Sequence, residues 1–274
     1  MDNTPIAMVR RRWLRTLALP VFLGAVLSAG CDLAMSELNT EETAEWRKSY
    51  PLDAAGRVEI INVNGKIVVE PSSGNTVEVV ALKKGRGATP EAAKAALARV
   101  TFGENVSSSL VKIDTKIARL DGIVINQGGV QVDYTVKVPA GAEVRFTTVN
   151  GGIEITGLQG RVTAETTNGG VTTRDVAGQL QASTTNGGLD IDVSKITDGG
   201  IRLDCVNGGI KVRIPRDAKT TISANITNGG ISAGDLQIDA TGENSRRKLE
   251  GHLNGGGPRL QITGVNGGIT LSGR

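Results

Sequence analysis

Residues able to do chemistry are few in this chain: 274 residues hold one histidine, His252, and two cysteines, Cys31 and Cys205. A catalytic thiol needs a neighbouring base and a depressed pKa. Cys205 instead stands two residues before Asn207, at a position filled in other copies of a repeat by Thr148, Thr166, Thr184 and Ile226, and is expected to be a small buried side chain. Asp190 and Asp192 flank Ile191 and point outward together, with Asp204 close by in sequence. Paired carboxylates can hold Ca²⁺ or cleave glycosidic bonds. Here the calcium-binding pattern Gly-Gly-x-Gly-x-Asp is absent, and Thr172 and Lys211 occupy the column of Asp190, so no acidic stripe builds up. These carboxylates are expected on a solvated face, and His252 in a solvated loop. No catalytic residue, metal site or cofactor is expected.

Cys31 carries a different chemistry. Arg10, Arg11, Arg12 and Arg15 precede a short apolar stretch from Thr16 to Ala29, too short to span a bilayer as a helix, which needs about 20 residues. The stretch ends Leu27-Ser28-Ala29-Gly30-Cys31, which resembles the lipobox of bacterial lipoproteins, where cleavage leaves a diacylglyceryl cysteine as the first residue. Arg10-Arg11-Arg12-Trp13-Leu14-Arg15 also resembles a twin-arginine export signal, with Val9 in place of the usual Ser or Thr. Residues 1–30 are therefore expected to be a signal peptide, and the mature chain to be lipid-anchored in the cell envelope, facing the periplasm or the cell surface. The signal holds four basic residues and one acid, which is the whole of the +3 net charge. The pI near 8.9 thus reflects export, and no nucleic-acid partner is expected. With Cys31 lipidated, Cys205 has no disulfide partner. Residues 31–49, acidic and polar without strand alternation, are expected to be a flexible tether.

Beyond residue 49 an internal repeat sets the architecture. Asn-Gly-Gly followed by an aliphatic residue begins at Asn150, Asn168, Asn186, Asn207, Asn228 and Asn266, with a diverged copy at Asn64 and another over 126–130. The spacings from Asn150 are 18, 18, 21, 21 and 38 residues, the last taken as two coils. Three residues after the Asn stand Ile67, Ile153, Val171, Leu189, Ile210, Ile231 and Ile269. Six before it stand Val58, Val144, Val162, Leu180, Ile201, Ile222 and Leu260, and four before it Ile60, Phe146, Ala164, Ala182, Leu203, Ala224 and Ile262. Polar residues lie between these columns, which is the period-2 alternation of short strands. An eighteen-residue coil cannot bury its apolar side alone, but coils stacked about 4.8 Å apart share one core. The expected fold is an all-β, single-stranded parallel β-solenoid over residues 50–274 with Asn-Gly-Gly turns. Gly suits a corner needing positive φ, and Asn can bond the Asn above it. Six coils from residue 142 would make a rod of roughly 30 Å.

Thr89-Pro90-Glu91 opening an Ala-rich run predicts one short helix near 89–99, covering an end or face of the stack. Residues 240–258, with Arg246-Arg247-Lys248, interrupt the repeat and are expected to be an insertion loop. Little chain follows Ile269–Leu271 to cover a final strand edge, so an end-to-end homodimer is expected.

The Val-Asn-Gly-Gly-Ile repeats, together with the ending Leu249-Glu250-Gly251-His252-Leu253-Asn254-Gly255-Gly256-Gly257-Pro258, resemble the β-strand-repeat family called domain of unknown function 4097. The resemblance covers about residues 50–274. It implies an envelope β-solenoid with an adhesive or interaction role, and supplies no catalytic residues. The expected function is a non-enzymatic, lipid-anchored scaffold or adhesin-like module, with the membrane, an envelope protein or a polysaccharide as partner. A periplasm-facing sensor or accessory of an envelope-stress system, binding through residues 240–258, is the first alternative. A polysaccharide-active β-helix enzyme using Asp190 and Asp192 is the second.

Overall fold

The computed structural model describes residues 40–118 and 129–274. In chain order the first part runs β1 (Thr40–Pro51), β2 (Arg57–Ile61), β3 (Ile67–Ser72), β4 (Thr76–Gly87), α1 (Pro90–Ala98), β5 (Val100–Ser107), β6 (Leu110–Ile117) and β7 (Val130–Pro139). The regular repeat follows as β8 (Glu143–Asn150), β9 (Ile153–Thr156), β10 (Val162–Asn168), β11 (Val171–Ala177), β12 (Leu180–Asn186), β13 (Leu189–Lys195), β14 (Ile201–Asn207) and β15 (Ile210–Ile214). The chain ends in β16 (Thr220–Ser232), β17 (Ile238–Ala240), β18 (Lys248–Leu253) and β19 (Arg259–Gly273).

The fold is all-β and β-solenoid-like. Each coil is a strand, a bend at the Asn, and a second strand. Strands that precede the Asn stack in parallel on one face: β2, β8, β10, β12, β14, the first half of β19, then the first half of β16. Strands that follow it stack on the other: β3, β9, β11, β13, β15, the second half of β19, then the end of β16. The aliphatic columns fill the space between the faces. Val58, Val144, Val162, Leu180, Ile201, Ile222 and Leu260 are all buried, as are the columns around Ile60 and Ile67, apart from half-buried Ile231.

The sheet is mixed, which corrects the expectation of a purely parallel solenoid. Antiparallel pairs β1–β4, β4–β7 and β5–β6 close one end, and β16–β18 and β17–β18 close the other. The physical reason is the edge: a parallel stack ends in unpaired N–H and C=O groups, and an antiparallel strand can cover them through a short connection. The Asn-Gly-Gly segments are also not turns closed on themselves. Gly169 N–H donates to the Asn186 carbonyl and Gly187 N–H to the Asn207 carbonyl, so these bends are bonded from coil to coil.

Four further expectations change. Residues 40–49, assigned to the tether, form most of β1, which pairs with β4 along all its length. Its inward positions include Glu42, Ala44 and Trp46, so backbone pairing rather than apolar alternation makes it a strand. Within 240–258, β18 is a strand and not loop; its buried position Gly251 hides the alternation of Leu249 and Leu253. The 38 residues from Asn228 to Asn266 are one coil carrying the β17–β18 excursion, because Asn228 and Asn266 are direct partners. The final strand is no edge: β19 lies between β14–β15 on one side and β16 on the other. The feature that suggested an end-to-end dimer is therefore covered within the chain.

Helix α1 begins as expected, with Ala92 N–H donating to Thr89 Oγ1 at 3.2 Å. It buries Ala93, Ala96 and Leu97 and packs on β4 and β1, where Gly85 and Gly87 leave room for its backbone. Trp46 of β1 packs on Phe102 of β5, ring centroids 4.6 Å apart, and so joins the two edge strands. Trp46→Ala is expected to lower the unfolding free energy by about 2 kcal/mol in urea denaturation. A tether residue would leave it unchanged.

Candidate functional site

The repeat brings seven asparagines into one row. Asn150 Nδ2 donates to Asn64 Oδ1 at 2.7 Å, Asn168 to Asn150 at 2.8 Å, Asn186 to Asn168 at 2.9 Å and Asn207 to Asn186 at 2.9 Å. Asn266 then donates to Asn207 and Asn228 to Asn266, both at 2.8 Å. At its other end the row is tied off by Asn64 Nδ2 donating to the Val130 carbonyl at 3.2 Å. All six amide–amide bonds run in the same direction. Apart from half-buried Asn64, every member of the row is exposed.

What sets the row is the glycine after each Asn. Gly169, Gly187, Gly208, Gly229 and Gly267 have φ between +142° and +152°. A methyl on any of them would strike the carbonyl of a stacked corner: Gly151 for Gly169, Gly169 for Gly187, Gly187 for Gly208. The second glycine is freer. A methyl on Gly209 would sit 3.8 Å from the Gly268 carbonyl, an ordinary contact. The diverged copy Asn64-Gly65-Lys66 obeys the same rule, keeping the first glycine and replacing the second.

A second row lies just inside the corner. Thr148, Thr166 and Thr184 donate their hydroxyls to the carbonyls of Gly65, Gly151 and Gly169 at 3.3, 2.8 and 2.7 Å. Cys205 takes the same place, its Sγ 3.3 Å from the Gly187 carbonyl. It is buried, and that burial pushes the thiol pKa up, away from nucleophilic reactivity. Cys31 lies outside the described residues.

Asp190 and Asp192 are not free carboxylates. Arg174 reaches Asp190 at 3.2 Å, and Arg213 reaches Asp190 at 3.0 Å and Asp192 at 3.1 Å. Arg274 reaches Asp192 at 3.2 Å and Asp175 at 3.4 Å. These ion pairs link β11, β13 and β15 with Arg274, which follows β19, and form a clamp over the coils. Burial opposes ionisation of Asp190, but the hydrogen bond from Arg174 and the charges of Arg174, Arg213 and Lys211 outweigh it and hold its pKa below the usual carboxylate range. Asp204 stands on the opposite face, paired with Arg202 at 2.8 Å. His252 is on β18, half-buried, with Nδ1 3.3 Å from Thr221 Oγ1. Among the described residues no three His, Cys, Asp or Glu side chains come together as a metal site.

One constellation had no signal in the sequence. Glu104 on β5 accepts from Lys48 Nζ at 2.9 Å and Tyr50 Oη at 2.7 Å, both on β1. Burial first, then the bond to Glu104, pushes the Tyr50 pKa up. With Trp46, Phe102 and Tyr134 this makes a seam between strands more than 50 residues apart. Near the Asn64 end of the row, a cleft of about 380 Å³ is lined by Lys66, Lys84, Arg86 and Gln131. Its cations are paired with Glu154, Asp133 and Glu41.

Two expected outcomes follow from this geometry. Gly208→Ala should lose more than about 2 kcal/mol of stability, from positive φ and close carbonyl approach. Gly209→Ala should stay within about 0.5 kcal/mol of the parent; denaturant midpoints measure both. Because the pKa of Asp190 is lowered in the folded state, its contribution is complete above the unfolded carboxylate pKa, near 4, and lost as pH falls through the lower folded value. Asp190→Asn should therefore flatten the acid limb of the stability–pH curve below the unfolded carboxylate pKa, about 4. Parallel curves for variant and parent would refute the clamp.

A family profile described as Toastrack DUF4097 matches residues 94–272. No curated protein matches the sequence. Among solved structures, a "putative cell adhesion protein" from Clostridium sporogenes is similar at 10% identity and TM-score 0.40, covering 85% of this chain and 100% of its own. A "putative adhesin" from Bacteroides fragilis has 9% identity and TM-score 0.37, covering 84% and 97%. A "Putative lipid binding protein" from Parabacteroides distasonis has 11% identity and TM-score 0.27, covering 85% and 97%. With its coils, its glycine corners and a profile match over most of the repeat, the chain belongs to the Toastrack DUF4097 family.

Proposed function

We propose that the chain is a non-enzymatic envelope lipoprotein that presents a β-solenoid, cornered by its Asn-Gly-Gly segments, for adhesion or scaffolding. The observation that carries this is the asparagine row, an exposed edge that repeats over seven coils. The groups that could have served catalysis have structural partners: Asp190 and Asp192 hold arginines, and Cys205 bonds a corner carbonyl. That weighs against a polysaccharide-cleaving enzyme built on the two aspartates.

Anchoring rests on the lipobox-like sequence before Cys31. Two or three acyl chains make such anchoring stable, where one would not. Because β1 starts at Thr40, only eight residues separate it from Cys31, which reach at most about 28 Å. The body would then stand close to the membrane that holds it.

A periplasm-facing accessory protein is the second reading, favoured by one observation. Arg246 and Arg247 are exposed beside β18, and neither has an acidic partner among the described residues. Protease shaving of intact cells, with immunodetection of residues 50–274, separates the two. Loss of the body from intact cells is expected. Cleavage only after permeabilisation would remove the adhesive reading in favour of the accessory one. Cys31→Ala should move the protein from the membrane fraction to the aqueous one, and its retention in the membrane would refute lipid anchoring.

A further inference from the structure

The corner edge differs in kind from the rest of the surface. Beside each Asn of the row stands a β-branched residue: Val63, Val149, Thr167, Thr185, Val206, Val265 and Thr227. Val149 and Val206 are 41% and 40% exposed, and only Val106 among the other described large aliphatic residues is similarly bare. From Asn150 onward, the Val/Thr-Asn-Gly-Gly segments contain no charged residue in any of six coils. The outward positions on either side do carry charge: Glu165 and Asp204 on one face, Glu154, Asp190 and Lys211 on the other.

The hydrogen-bonding capacity of the edge is only half used. A side-chain amide offers two N–H donors and a carbonyl oxygen with two lone pairs. Asn150, Asn168, Asn186, Asn207 and Asn266 each spend one donor and one lone pair on the row. The second donor and lone pair of each remain for a partner, at every strand spacing of about 4.8 Å. Methyl groups flank them. From Asn64 to Asn228 the edge spans roughly 29 Å.

We infer that this edge docks an extended, uncharged, β-linked polysaccharide of the extracellular matrix, a flat ribbon whose equatorial hydroxyls meet the free amide groups and whose C–H faces meet the Val and Thr methyls. The inference rests on the adhesive reading given above and names its ligand. Between Asn150 and Asn266 the edge carries no charge to repay desolvation of a polyanion's carboxylates or phosphates; its cations stand only at the two ends, Lys66 next to Gly65 and Arg246 against Gly230. Repetition supplies the strength: weak contacts at successive rungs add through one continuous chain. The common direction of the six amide bonds makes the edge polar, so it distinguishes the two directions of a glycan strand.

The test is sedimentation of the purified full-length chain with insoluble cellulose and with chitin, against dextran and alginate as α-linked and anionic controls. Binding to cellulose or chitin, with at least tenfold weaker retention by Thr167→Lys/Val206→Lys and none of that loss in Gln181→Lys, is the expected result. Titration with chitin hexasaccharide should also shift the side-chain amide resonances of the row in the unaltered protein, whether or not the lysine variant folds. Failure to bind either neutral polymer, equal retention of the lysine variant, or a preference for alginate would overturn the inference. Surface exposure on intact cells without polysaccharide binding overturns it and leaves the adhesive reading standing. Binding by the purified chain, with the body shielded in intact cells, overturns the adhesive reading and keeps the ligand assignment.

Discussion

At the corners from Gly151 to Gly208 the first glycine comes so near the carbonyl of a stacked corner that a side chain has no room, and its N–H bonds the Asn carbonyl of the coil on the other side. Everything regular about the molecule depends on this approach. It holds neighbouring corners at one spacing, and that spacing brings the asparagine amides within bonding distance of each other. The Thr and Cys205 side chains inside the corner use the same carbonyls. Two rows of polar contacts and one apolar core thus share a single geometric condition.

Parallel stacking brings its own liability, since both ends of such a body are open edges. The chain answers differently at each. At the first end, β1 and β5 pair antiparallel with β4 and β6, and they are stitched to each other through Trp46, Phe102, Lys48, Tyr50 and Glu104. At the second end, β18 runs antiparallel to β16, and the backbone of Arg246 and Arg247 accepts from Ile231 and Ile226. Neither device belongs to the repeat, and both are built from segments whose composition sets them apart from it.

That division explains what could be read in advance. Coil lengths, aliphatic columns, the place of Cys205 and the cap of α1 each follow from local pattern or from aligning copies on the Asn. The closing segments do not, because β1 shows no apolar alternation and β18 has Gly251 at its buried position. The clamp was nearer to hand: six residues after successive asparagines stand Arg174, Asp192 and Arg213, opposite charges in one column. The order of the last coils was hidden for a different reason. Every coil carries the same columns, so the pattern accepts any stacking order, and only the connection through β17 and β18 sets β19 inside β16.

That order gives the body an unusual assembly history. In a simple solenoid each coil adds to the one made before it, so a chain cut short is a shorter version of the whole. Here β16 meets β14 and β15 only through β19, which follows it in the chain. A chain lacking β19 has lost a middle layer rather than an end. The coil of β16 becomes part of the body only when β19 arrives, so an earlier layer waits on a later one.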